Sequence, residues 1–575
     1  MYTEYVPPGR TAVLPRRTQW TDQALPARRW PHWPVPVVVV VAAAPLYALW
    51  AWLLATGGGD LAAQVAWAGF ARRHPAAPYN LAWYGGMHTM DYSVLTPPLM
   101  AYAGVRAVSV TAGLVATWAM AVLLVRSGVR RPMVPALLGA VCQWCDIACG
   151  RTTFAVGVAF GLLALCRVRR APDRWAVPAA LAALTAMASP VAALFLWVAG
   201  AGLLAAGRRA AALALAAPPA LVLGAVYVLF PFQGEQLMSG AAMVCPLVTS
   251  AALALAAPRS WRTVRVGAVA YALGTVLTAC VASPVGTNVE RLAGIAGLPL
   301  LAAALAERVA GRRRRRPSLG RGRGLALMPA PTSVRGAVLA AVLLCALGQN
   351  GFALVGKTVG ELSMSTAVPG WASHTEGVTR ALRALHADQH RVEVVPARNH
   401  RESTAFADVV QNARGWNRQL DVERDRLFYG GTLPDGTLPA AAYRRWLDDW
   451  AVAYVVLPHG DVGGPGAAEA ALLATGARPD WLRPVWRDPY WTVFAVARPV
   501  QLASAPARVL RAGEADVTVR LPKAGSTVVR VAWSPWFRVT GGCVSRAGRW
   551  TRITAPSAGD YRLYSIYSRA KRSCG

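Results

Sequence analysis

Lysine is almost missing from this chain. It occurs only at Lys357, Lys523 and Lys571, so nearly all of the 60 basic residues are arginine, while Asp and Glu together number 28. Charge of either sign is scarce, at 15% of residues against 55% hydrophobic, and the mean hydropathy is +0.34. So few charges cannot coat a soluble globule of 575 residues, which excludes an ordinary soluble protein. The net charge of +32 would suggest nucleic acid on a soluble domain. Here the arginines form short clusters between apolar runs, a pattern of membrane topology, and no nucleic-acid partner is expected. There is no P-loop, no Rossmann glycine pattern, no GxSxG nucleophile motif in a strand-to-helix context, and no HExxH zinc motif. Polar cysteine is rare as well. Seven of the nine cysteines fall in apolar runs, where they read as small packing residues, and only Cys543 and Cys574, in the polar C-terminal region, are candidates for a disulfide.

What is present is a series of apolar runs. Residues 1–34 are polar, proline-rich and basic, and read as a cytoplasmic tail. The first run, Val35 to Ala55, is long enough to cross about 30 Å of hydrocarbon and reads as an uncleaved anchor. Ten further runs follow up to Gly336–Gly356, and each assigned inner loop carries at least two arginines, ending with the block Arg312–Arg316. The outer loops hold only Arg72, Arg73, Arg151 and Arg291 beyond a boundary residue, Arg106. By length and the positive-inside rule the expectation is a transmembrane domain over 35–356 with about eleven helices and a long first outer loop at 56–104. The N-terminus is inside a bacterial plasma membrane and the C-terminal part is extracytoplasmic.

From Lys357 the composition turns soluble. Helical and strand-like stretches alternate, with RVEVVP at 391–396 and VAYVVL at 452–457, and predict a small α/β domain over 357–500. Short alternating runs separated by Gly, Pro and Ser then predict a β-sandwich over 501–575.

An N-in multi-span chain with a long first outer loop, an acidic residue just after the first span and an extracytoplasmic C-terminal domain resembles the GT-C class of polyprenyl-phosphate-sugar glycosyltransferases. More closely it resembles actinobacterial integral membrane proteins that carry DLAAQ, YNLAWYGG, YSVLTPPLM, GRTTF, GTNVERL, VEVVP, ARGWNRQLD and LFYGGTL. The resemblance implies a GT-C-like fold, a lipid-linked sugar donor, an envelope glycan or lipid acceptor, and contact with membrane lipids. GT-C enzymes often place an acidic pair in the first outer loop. Asp60 has no acidic neighbour here, so no cofactor is assigned, although a divalent metal stays open.

Sugar transfer from a lipid phosphate needs a base for the acceptor hydroxyl and cationic groups for the departing phosphate. Asp60, where the first span emerges, is the candidate base, and Asp91 is the second candidate; either also reads as an ordinary cap or turn residue. Gln64, one helical turn after Asp60, is placed to orient it. Arg291, beside Asn288 in GTNVERL, is the candidate phosphate ligand, with an ion pair to Glu290 or another loop carboxylate as the plainer reading. Arg151 sits close to Asp146 at membrane depth, where ionisable groups are functional or mutually neutralising. His88 is a candidate acceptor contact in the first loop, with a surface histidine as the alternative. In the outer domain, His400, Glu402, Arg414, Trp416, Arg418 and Asp421 read either as a sugar-binding surface or as a loop held by arginine pairs, and Trp533 and Trp536 as sugar platforms or strand-edge core. A transporter or flippase, and a non-catalytic glycan-binding assembly protein, are the alternative functions.

Overall fold

A computed structural model of the chain describes residues 34–170, 174–232, 234–314, 334–429, 431, 433, 436–460, 462–474 and 478–568. The tail at 1–33, Arg315, Arg316 and Cys574 lie outside the described residues. Cys543 is disulfide-bonded.

The apolar runs form helices, since hydrocarbon offers the backbone no other hydrogen-bond partner. Six helical stretches among the described residues are long and apolar enough to cross a membrane: Pro34–Leu54, Val105–Arg126, Arg209–Leu229, Arg262–Cys280, Gly286–Val309 and Val334–Ser365. Five shorter apolar helices, Met133–Ala148, Thr152–Val168, Ala176–Ala188, Pro190–Ala205 and Gly240–Ala256, pack among them. All coincide with the apolar runs read from the sequence. One boundary differs. The last helix does not stop near Gly356 but runs on to Ser365, so Lys357 and Glu361 lie on the span itself rather than in a following domain.

The clustered arginines gather at one end of this bundle and cap helix C-termini there. Arg208 donates to Val168 O at 3.1 Å, Arg265 to Ala254 O at 2.7 Å, and Arg308 to Ala256 O, while Arg130 pairs with Glu307 at 3.4 Å. At the other end the bundle carries the first loop and the C-terminal domains.

In the α/β part, β3 (Arg391–Val394) lies between β4 (Gln411–Asn412) and β5 (Val452–Pro458), parallel to both, and the sheet continues with β7 (Trp491–Val496) and β6 (Leu482–Arg487), antiparallel. Strand β6 is not evident in the sequence. It carries Pro484 at a register shift, which an edge strand tolerates and a central one does not. The C-terminal part is two antiparallel sheets, three strands facing four, closed over a core that includes Val517, Val519, Val529, Val531, Ile553 and Leu563.

The first loop binds these units together. A two-strand hairpin, β1 (Tyr79–Asn80) with β2 (Met87–His88), inserts Tyr79 and Leu81 into the sandwich core, and Ala82 O accepts from Asn412 N at the edge of the α/β sheet. Trp83 and Tyr84, fully buried, pack with Leu420 and Ala407. In WSPWF, Trp536 stacks on Phe230 at 5.2 Å between ring centroids and donates to Leu229 O at 2.8 Å, so it docks the sandwich on a bundle helix. Trp533 packs against the sandwich core.

Arg401 clamps the two membrane termini to the α/β part. Its guanidinium donates to Thr56 O, to Thr56 Oγ1 at 2.7 Å and to Ser365 O at 2.7 Å. Charged hydrogen bonds of this kind contribute roughly 1.5–3 kcal/mol each; without Arg401, Ser365 O keeps only the hydroxyl of Thr56 as a side-chain donor. Arg401→Met is expected to lower the thermal unfolding midpoint of the detergent-solubilised chain by several degrees; an unchanged midpoint would show that the clamp contributes nothing.

Candidate functional site

The GGGD sequence explains how a carboxylate comes to lie at the end of the bundle. The chain leaves the first span and turns back beneath the end of the last helix. Gly57 and Gly59 have φ of +93° and +63°, and a Cβ on Gly58 would come within 2.6 Å of Ser365 O. Only glycines permit this passage. It ends where Gly59 N donates to Asn399 O at 2.7 Å, and Asp60 follows as the first residue of helix Asp60–Arg73. A carboxylate at a helix N-terminus is favoured by the helix dipole.

A second glycine brings up its partner. Gly150, at φ +75°, joins helices Met133–Ala148 and Thr152–Arg170, and a Cβ there would meet Leu61 N at 2.6 Å. The close approach sets Arg151 against the start of the loop helix. Arg151 Nε lies 3.6 Å from Asp60 Oδ2, and its Nη1 lies 3.6 Å from Asp146 Oδ1. These are ion-pair separations, beyond good hydrogen-bond length. The three groups differ in exposure: the side chain of Asp146 is 6% exposed, that of Arg151 11% and that of Asp60 30%. Asp60 is therefore the carboxylate that a solute can reach.

Asp60 opens on a cavity of about 250 Å³ between the bundle and the outer domain. Gln64, Arg151, Asn288 and Arg291, from three separate stretches of sequence, line the same cavity. Arg291 follows a 3-10 turn at Gly286–Glu290, and its guanidinium carbon lies 5.2 Å from the Phe154 ring centroid, a cation–π distance. Glu290 pairs with Lys357 instead, and Arg291 has no ion-pair partner among the described residues. The plainer reading of Arg291 as the partner of Glu290 is thereby corrected.

His88 and Asp91 are not in this cavity. The hairpin turns them toward the sandwich, where His88 Nε2 lies 3.0 Å from Ser534 Oγ and His88 Nδ1 lies 3.9 Å from Asp91 Oδ2. Burial lowers His88 to about 4 and raises the Asp91 carboxyl well above its ordinary value. The outer-domain set divides in the same way. His400, Trp416 and Arg418 line the cavity. Glu402 and Asp421 are buried in the domain interior, as is Arg414, which pairs with Glu393 and Glu469.

Several lining residues were not singled out from the sequence. Lys357, Glu361 and Met364 lie on one face of the last helix at i, i+4 and i+7. Trp67 extends the Asp60–Gln64 stripe by one more turn, and Tyr92 packs on it at 4.6 Å. Helical periodicity continued past the apolar run was the available signal. A wider cleft of about 690 Å³, lined by Gly360, Ser363, Arg398 and Asn399, shares Lys357, Glu361 and Met364 with the cavity. Among the described residues there is no group of three or more His, Cys, Asp or Glu placed to hold a metal ion.

A family described as Domain of unknown function (DUF8823) matches residues 504–546, within the sandwich. No curated protein matches the chain. Among solved structures the chain is similar to the arabinofuranosyltransferase AftD from Mycobacteria, at 18% identity and a TM-score of 0.41, over 80% of this chain. The chain spans 40% of that protein's length.

Burial raises the Glu402 carboxyl from 4.5 to about 8 and the Asp421 carboxyl from 3.8 to about 7. The folded chain thus keeps protons that the unfolded chain has already released. The stability held at low pH is lost as pH rises from about 3.8 through about 8. Glu402→Gln removes one of the two groups and is expected to flatten this decline; thermal midpoints recorded across that window would test it, an unaltered slope counting against the assignment.

Proposed function

We propose that the chain is a membrane glycosyltransferase that moves a sugar from a polyprenyl-phosphate donor to an envelope glycan or lipid acceptor on the outer face of a bacterial plasma membrane. The observation that supports this best is the cavity itself. Asp60 faces a space whose bundle side carries three cations, Arg151, Arg291 and Lys357, together with the carboxylates Glu290 and Glu361.

That arrangement suits an inverting displacement. The acceptor oxygen attacks the anomeric carbon and gives its proton to Asp60, while the bond from that carbon to the phosphate oxygen breaks and its electron pair leaves with the phosphate. The arginines meet the growing negative charge, and the guanidinium fork matches phosphate oxygens.

Lipid access also fits. The last helix lines both the cavity and the neighbouring cleft, and its opposite face presents Phe352, Val355 and Val359, all exposed. Within the bundle lies an apolar chamber of about 520 Å³, lined in part by Tyr271, Leu292 and Ala293, immediately after Arg291 in the chain. A mainly apolar chamber offers room for an isoprenoid tail and is a poor path for polar cargo, which favours the enzyme over a transporter. On this reading the arginine-capped end is cytoplasmic, the apolar helices number about eleven spans, and the cavity is outside.

The test loads membranes with a panel of radiolabelled polyprenyl-phosphate sugars and compares wild type with variants at matched expression. Asp60→Asn is expected to reduce transfer by roughly 10²- to 10⁴-fold, the usual contribution of a positioned base. Arg291→Gln is expected to raise the KM for the lipid donor about tenfold or more. Equal transfer by wild type and Asp60→Asn would eliminate Asp60 as the base, and absence of transfer from every donor would sink the enzyme reading.

A further inference from the structure

The cavity has two chemically different sides. The bundle side is charged, with Arg151, Arg291 and Lys357 beside Glu290 and Glu361. The side formed by the loop helix and by residues 400–419 instead carries Trp67, His400 and Trp416 with the amides Gln64, Asn417 and Gln419. We propose that this second side binds a neutral saccharide, and that the saccharide is the acceptor in the transfer reaction. The word acceptor rests on the glycosyltransferase reading; the binding site does not.

Residue chemistry carries the assignment. A sugar presents an apolar face of C–H groups and a rim of hydroxyls that both donate and accept. Aromatic faces match the former, and carboxamides, each with a donor and an acceptor, match the latter. A phosphate or carboxylate would call for cations, and Arg418 is the one cation among residues 400–419 that line the cavity. His400 supplies no charge, since burial lowers it to about 3.

The wall is also preorganised. The rings of His400 and Trp416 stack with centroids 3.5 Å apart and an interplanar angle of 9°. The segment beneath them is fixed, because Gly415 lies so close to Trp83 that a Cβ would come within 2.3 Å of the indole. Asn417 Oδ1 is used as a helix cap, accepting from Leu420 N at 3.1 Å, which leaves its Nδ2 over. That atom, Gln64 Oε1 and Trp67 Nε1 are buried without hydrogen-bond partners among the described residues. Buried polar atoms in native proteins are nearly always paired, and all three of these belong to residues that line the cavity. Asp60 and Gln64 sit one turn apart on the same helix, so a saccharide on this wall has a hydroxyl beside the carboxylate.

The experiment measures saturation-transfer NMR and tryptophan fluorescence on the full chain in lipid nanodiscs. The probes are methyl α-mannopyranoside, methyl β-galactofuranoside and, as a charged comparison, glucuronate. Saturable binding of a neutral glycoside, with strongest transfer to its ring C–H protons, is expected. Trp416→Ala is expected to weaken that binding about tenfold, and Trp416→Phe to restore part of it. The C–H transfer pattern in wild type needs no variant, so the proposal stays testable if Trp416→Ala fails to fold. No saturable binding of either neutral glycoside, or tighter binding of glucuronate than of both, would overturn it. Saccharide binding without transfer from any lipid donor would leave this site standing and remove only the enzyme reading; transfer without saccharide binding would do the reverse.

Discussion

A guanidinium held between two carboxylates at the end of a helical bundle is the interaction on which this structure turns. Arg151 is nearly enclosed, and an enclosed cation is tolerable only where opposite charge is close. Asp146 supplies that charge from inside the bundle and Asp60 from the loop above it. The requirement fixes where the first loop must begin, and the glycines on either side of the contact follow from it. Gly150 lets the bundle turn reach the loop helix, while Gly57 to Gly59 let the chain pass under the last span. Larger residues would push the two charges apart.

The rest of the outer region is built to hold that geometry. The first loop enters the sandwich core through Tyr79 and Leu81, touches the edge of the α/β sheet at Ala82, and packs Trp83 and Tyr84 beneath the segment that carries Trp416. Arg401 then bonds the ends of the first and last spans to the same domain. The C-terminal domains are therefore part of the cavity rather than appendages to a membrane core. They supply His400, Trp416, Asn417, Arg418 and Gln419 to it, and the bundle supplies Arg151, Arg291 and Lys357 with Glu290 and Glu361.

How far the sequence carried depended on the range of the interaction concerned. The apolar runs were legible because lipid imposes one rule on every residue in them, and the arginine clusters were legible because charge collects where such runs end. Asp60, Gln64, Arg151, Asn288 and Arg291 were each singled out for reasons local to their own stretch. His88 and Asp91 were singled out on the same grounds, as polar groups in the same loop, and they turn away because the hairpin at Tyr79–His88 buries them on the sandwich. No local pattern separates a loop residue that faces a cavity from one that docks a domain. Glu361 was passed over for the opposite reason: it lies beyond the apolar run, where hydropathy no longer marks the helix that in fact continues.

By itself the amino-acid sequence determined the helical bundle, the placing of arginines at the ends of its helices, and the change to α/β and then β structure after the last span. Each of these follows from interactions between a residue and its solvent, water or hydrocarbon, which act position by position. Only the tertiary structure decided that residues near 60, 151, 290, 360 and 400 share one cavity, that Glu290 takes Lys357 and leaves Arg291 free of it, and that Trp416 faces the cavity while Trp536 docks on the bundle. Those outcomes depend on contacts between stretches hundreds of residues apart. They are set by which close approaches the glycines allow and which buried charges must find partners.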